Sequence, residues 1–134
     1  MGITAAQTRA HFVRAVLEGV AFSLRDTLTL FAELGVPVKA IRLGGGGARG
    51  ALWRQIQANI YGHAVELLEA EEGGAFGAAL LAGTGIGVWA SVEEACAATV
   101  RVAETIEPKH VAAMNAAYKE YRRIYPALRE ITRS

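Results

Sequence analysis

Apolar residues recur at helical spacing through the first third of the chain, where Phe12, Val16, Val20, Leu24, Leu28 and Phe31 predict one long amphipathic helix. Thr4 with Gln7 resembles a capping box at its start, and Gly35 followed by Pro37 supplies a stop. The pattern then changes. "VKAIRL", Val38 to Leu43, is short, rich in branched side chains and bounded by Pro and Gly, which predicts a buried strand. A run of glycines, Gly44 to Gly47, follows directly. A second helix is predicted from about Ala51 to Tyr61, and "AVELL", Ala64 to Leu68, is a second strand reached by a right-handed crossover, making a βαβ unit. Beyond the acidic turn "EAEEGG" comes a small-residue helix ending among Gly83, Gly85 and Gly87. Ser91 with Glu94 forms another capping box, opening a helix to about Ala103. Pro108 suits the first turn of a terminal helix whose stripe is Val111, Met114, Tyr118, Tyr121 and Tyr125, and Pro126 should kink or end it. Roughly five helices against two strands is too little sheet to cover so much apolar helix surface, so residues 1–134 read as a single segment of a larger α/β domain.

Composition narrows the function. The chain has 134 residues, 52% hydrophobic, with a formal net charge of +1, and its Lys and Arg are scattered, which argues against a nucleic-acid surface. Cys96 is the sole cysteine, the N-terminal "MGITAAQTRAHF" lacks the apolar centre of a signal peptide, and Ala6 stands where myristoylation wants Ser or Thr; a reducing cytoplasm is the expectation. Gly73 to Val92 carries no charge over roughly the length of a membrane span, yet it is mostly Gly and Ala without flanking Lys or Arg, so it reads as a closely packed buried helix. His11, His63 and His110 share no ligand spacing, and with one cysteine no zinc site assembles. Cys96 reads as inert core and the tyrosine stripe as packing. Glu69, Glu71 and Glu72 read as a solvated acidic turn, and Asp26 receives no catalytic role. No catalytic or metal-ligating residue is assigned.

The glycine run carries the candidate chemistry. Amides at a helix start have unpaired donors and the positive end of the dipole, and bare backbone lets a phosphate or a flat ring come close, so a nucleotide is the natural guest. A Walker loop is excluded because no Gly-Lys-Ser/Thr follows. Gly45, Gly47 and Gly50 match G-x-G-x-x-G, with Glu66 or Glu69 near the place of a ribose-binding acid, which leaves an NAD- or NADP-binding domain as an alternative. A long helix precedes this strand, however, and no third strand is evident after it. A non-catalytic fragment that oligomerises through an exposed sheet edge is a further alternative.

Three motifs decide between these readings. "RAVLEGVAFSLRD" (Arg14 to Asp26), "LGGGGARGALWRQIQANIYG" (Leu43 to Gly62) and "EEGGAFGAALLAG" (Glu71 to Gly83) occur in this order and spacing, and together they resemble the C-terminal domain of FGGY carbohydrate kinases from about Arg9 to Arg129. The resemblance implies a partial ribonuclease-H-like domain of the actin, Hsp70 and sugar-kinase ATPase type, the later part of the C-terminal nucleotide-binding domain. It implies Mg-ATP-dependent phosphorylation of a ketose or polyol, D-xylulose foremost. Gly45, Gly46 and Gly47 would be the adenosine motif, continued by Ala48 and Arg49, with Asn59 on the helix behind. Gly50 stands where such kinases commonly carry Ser, and Asn59 where many carry Asp, departures expected to weaken polar contacts around the nucleotide. Trp53 would pack, and Gly74, Gly77 and Ala78 would lie on a small-residue helix close to the nucleotide. The sugar-binding domain, the catalytic Asp and a second phosphate turn are expected before Arg9, so the implied partners are ATP or ADP here, sugar only in the complete enzyme, and a second copy through the open sheet edge.

Overall fold

The computed structural model describes residues 3–70 and 73–129. Helix α1, Arg9–Glu33, is followed by strand β1, Ile41–Leu43, a 3-10 turn at Gly46–Arg49, and helix α2, Ala51–Tyr61. Strand β2, Val65–Leu68, leads to α3, Gly73–Gly85, and α4, Val92–Thr99; strand β3, Val102–Ile106, and helix α5, Val111–Leu128, complete the order.

The sheet is mixed. β1 pairs in parallel with β2, Ile41 opposite Val65 and Leu43 opposite Leu67, which confirms the βαβ unit. β3 then adds antiparallel to the other side of β2, Val65 opposite Ile106 and Leu67 opposite Glu104, giving the order β1-β2-β3. This third strand corrects the expected inventory and also the expected helix to Ala103. Alanines carry α4 only to Thr99, Val100 turns extended, and the branched residues beyond it find the open edge of β2.

α2 lies at the centre of the core. Every residue from Ile56 to Tyr61 is buried, packed with Ala21 and Phe22 of α1, Val65 of β2, Ile106 of β3 and Tyr118 of α5. The core face of α1 therefore runs through Leu17, Ala21, Phe22 and Leu28. The stripe expected to be buried is mostly the opposite one: Phe12, Val16, Val20, Leu24 and Phe31 are exposed. The helix has two apolar faces, and periodicity alone cannot say which meets this chain's core.

α1 and α5 are clamped by polar groups as well. Tyr118 donates its hydroxyl to Asp26, its ring lies under the Arg25 guanidinium at 4.3 Å, and Arg25 donates to Asn115 at 2.7 Å. Phe22 meets Tyr118 and Tyr121 with ring centroids 5.9 and 5.3 Å apart, so the tyrosine stripe packs as expected except at exposed Tyr125.

Several ends fall differently from expectation. Thr4 and Gln7 do bond, but as a separate turn; Thr8 caps α1, its N–H donated to His11 Nδ1 at 3.1 Å. Ser91 caps α4 as expected, accepting from the Glu94 N–H at 3.2 Å. α5 starts after His110 rather than near Pro108, and it continues through Pro126 to Leu128, since one lost backbone donor near a helix end is tolerated. α3 is not a buried helix: Leu80 is its one buried residue among those described. Its close contact is at Gly83, where a Cβ would run into the Trp89 ring. No helix among the described residues is long and apolar enough to cross a membrane. Cys96 is half-buried.

Candidate functional site

β1 and β2 end side by side, and the chain leaving β1 turns at once into α2. Ligands in parallel sheets bind outside such carboxyl ends. Gly45 makes the turn possible with φ 75° and ψ 178°, a conformation essentially restricted to glycine. The 3-10 turn then closes through Ala48 N–H to the Gly45 carbonyl at 3.1 Å and Gly50 N–H to the Gly47 carbonyl at 3.2 Å. Gly50 caps α2, and its carbonyl accepts from Arg54 N–H at 3.0 Å.

This turn forms one wall of a cleft of about 250 Å³. Gly44, Gly45, Gly46, Ala48 and Arg49 line that wall, Leu67, Leu68 and Ala70 come from β2 and its exit, and Leu43 and Arg54 complete it. Bare backbone, an apolar side and two guanidinium-bearing residues suit a molecule with a flat apolar part and an anionic part. The glycines differ in why they are bare. A Cβ on Gly44 or Gly46 would meet nothing within 4 Å, and neither has a positive φ, so neither packing nor backbone requires glycine there. At Gly47 a Cβ would stand 3.4 Å from Trp53 Nε1. Gly47 lies beside Trp53, which packs on the core as expected.

Asn59 lies apart from the cleft. It is buried, and its Oδ1 accepts from the Lys109 backbone N–H at 2.7 Å and from Gln55 Nε2 at 2.8 Å. Gln55 Nε2 also reaches the Glu107 carbonyl at 2.9 Å, so the pair fastens the segment between β3 and α5 to α2. Gly74 and Gly77 have nothing within 4 Å of a Cβ, and α3 contributes no lining residue to the cleft. Arg54 escaped the sequence reading. Its position one helical turn after Gly50 was the available signal, since such spacing returns a side chain to the loop's side.

Acidic residues do not form the other half of a dinucleotide site. Glu66 is opposite Arg42 in the parallel register and accepts from its Nε at 3.2 Å, while β3 runs antiparallel where further parallel units would be needed. Glu69 is exposed, with its backbone N–H on the Arg101 carbonyl; Glu71 and Glu72 lie outside the described residues. Among the described residues no three of His, Cys, Asp and Glu gather as a metal site.

Comparison with known proteins adds to this geometry. Residues 1–86 match the model for the FGGY family of carbohydrate kinases, C-terminal domain. The xylulose kinase of Bacillus subtilis (strain 168) is 38% identical over 133 residues, which are 98% of this chain and 27% of that protein. The crystal structure of xylulose kinase from Rhodospirillum rubrum matches with a TM-score of 0.86 at 28% identity, over 100% of this chain and 28% of that one. Plasmodium falciparum glycerol kinase with ADP matches with a TM-score of 0.79 at 25% identity, over 95% and 26%. This chain therefore spans about a quarter of the length of the curated relatives it matches.

Proposed function

Since this chain belongs to the FGGY family of carbohydrate kinases, as part of the C-terminal domain, we propose that it is the segment that holds ATP or ADP in an enzyme phosphorylating a ketose or polyol, D-xylulose foremost. The mixed α/β fold is that of the sugar-kinase, actin and Hsp70 ATPase type of domain. The observation that carries the nucleotide reading is the pair Gly44 and Gly46. The fold has room for a side chain at both positions, yet both stay bare at the wall of a cleft. A ligand that must touch the backbone explains that; a tight turn alone does not. A relative of the same fold with ADP, the Plasmodium falciparum glycerol kinase, supports the same guest.

Gly44, Gly45, Gly46, Ala48 and Arg49 form the nucleotide-facing wall in this reading, Gly47 continues the loop beside Trp53, and Asn59 acts from behind by fixing the far end of α2. Phosphoryl transfer is mainly a matter of positioning and charge stabilisation, so a segment that holds the nucleotide supplies half of the task. The aspartate that takes the sugar's proton is assigned to the rest of a complete kinase. Magnesium supplies charge neutralisation on the phosphates in such reactions. Among the described residues no three of His, Cys, Asp and Glu gather to hold it.

Thermal-shift titration with ATP, ADP and NAD tests the reading, using Gly46→Ala as the diagnostic variant. A ligand that binds only the folded state raises the melting temperature, by about 2.7 kcal/mol of stabilisation at a hundredfold excess over Kd. Adenine nucleotides are expected to raise it in the parent chain. Gly46→Ala should melt no lower than the parent without ligand, because Gly→Ala at a compatible site stabilises by roughly 0.4–1 kcal/mol, and yet lose much of the response. A response to NAD alone, or an alanine variant that responds like the parent, would overturn the proposal.

A further inference from the structure

The cleft has a second cationic residue whose surroundings are unusual. Arg54 sits in the second turn of α2, with its side chain only 17% exposed, and its Nη1 donates to Glu104 Oε2 of β3 at 2.9 Å. Its Nε is buried and meets no acceptor. A guanidinium presents five donors in a rigid fork, and the bond to Glu104 uses one of them at Nη1, so the outer edge of the fork keeps donors for a further acceptor. Arg54 also lines the glycine-loop cleft, where none of the described lining residues is acidic.

We propose that Arg54, braced by Glu104, is the residue that recognises the phosphate groups of the nucleotide in this cleft, an assignment that rests on the nucleotide reading above. The bracing matters because a planar fork fixed on one side by a carboxylate is already oriented for acceptors on the other. Arg49 belongs to the loop itself, whereas Arg54 is carried on the helix whose following residues are the core. The apolar residues Leu67 and Leu68 on the β2 side suit the base and ribose, and the helix start with Arg54 suits the charge. The division predicts that Arg54 separates phosphorylated from unphosphorylated adenosine and adds little to the affinity for adenosine itself.

Calorimetric titration of the chain with ATP and with adenosine, repeated on Arg54→Gln, Arg54→Lys and Glu104→Gln, tests this. Arg54→Gln is expected to weaken ATP about tenfold or more, the loss of one charge-assisted hydrogen bond, while adenosine affinity stays as in the parent. Arg54→Lys keeps the charge without the fork and should fall between, and it decides the matter if the glutamine variant does not fold. Equal loss of ATP and adenosine in both Arg54 variants, with Glu104→Gln melting as low as they do, would make the pair a plain staple between α2 and β3 and overturn the assignment. A parent chain that binds ATP, with variants that keep its preference over adenosine, overturns this inference alone. A parent that binds neither ligand removes the nucleotide reading and the role of Arg54 together.

Discussion

Gly45 and Gly46 are neighbours that are bare for opposite reasons. Gly45 holds a backbone conformation that other residues avoid, so Gly45→Ala should cost about 1–3 kcal/mol of stability whatever the ligand does, measurable by urea denaturation. A variant as stable as the parent would mean that the turn relaxes freely. The side-by-side response of the two alanine variants separates a glycine kept for folding from one kept for binding. The glycine run was visible in the sequence because its composition is extreme. The division of labour within it was not, because Gly45 differs from its neighbours only in the backbone conformation it takes in the folded chain. Asn59 shows the same limit: its helix was placed correctly, but its partners, Lys109 and Gln55, are known only once β3 has brought the start of α5 beside α2.

Between elements, the clamp of α1 on α5 depends on a neutral phenol. Burial raises the Tyr118 pKa above the ordinary 10.0, and its hydrogen bond to Asp26 raises it further, while Thr29 and Arg122 act the other way. The folded state therefore prefers the protonated hydroxyl, and the stability this provides is complete below the ordinary value and fades as pH rises through the raised one. Chemical denaturation is expected to show a fall in stability above about pH 10 that Tyr118→Phe makes shallower. An unchanged alkaline slope in that variant would show that Tyr118 is not the titrating group. α2 and β2 were legible because their patterns are local. β3 was not, since the alanines before it favour helix and the edge that recruits it belongs to β2. α1 was legible as a helix but not in its orientation, which depends on how much chain packs against it.

At the scale of the whole molecule, one face of α1 is left apolar and exposed. Phe12, Val16, Val20 and Leu24 lie on it, Val16 at 66% exposure, in a chain about a quarter as long as its curated relatives. An apolar stripe of this kind in water favours association. Light scattering of the chain alone is expected to show self-association, and Val16→Glu should reduce it without lowering the melting temperature. A parent that is monomeric, or a variant that associates equally, would leave the open sheet edge as the surface to test instead. α2 has a different consequence. Its first turn begins at the glycine loop and every residue from Ile56 to Tyr61 is buried, so one rod serves as both handle and keystone. The loop is not a detachable module. A lineage that reshaped the α2 side of the cleft for a new guest would have to leave the packing of Ile56 and Ile60 undisturbed, which confines inheritable change on that helix to the face turned away from them.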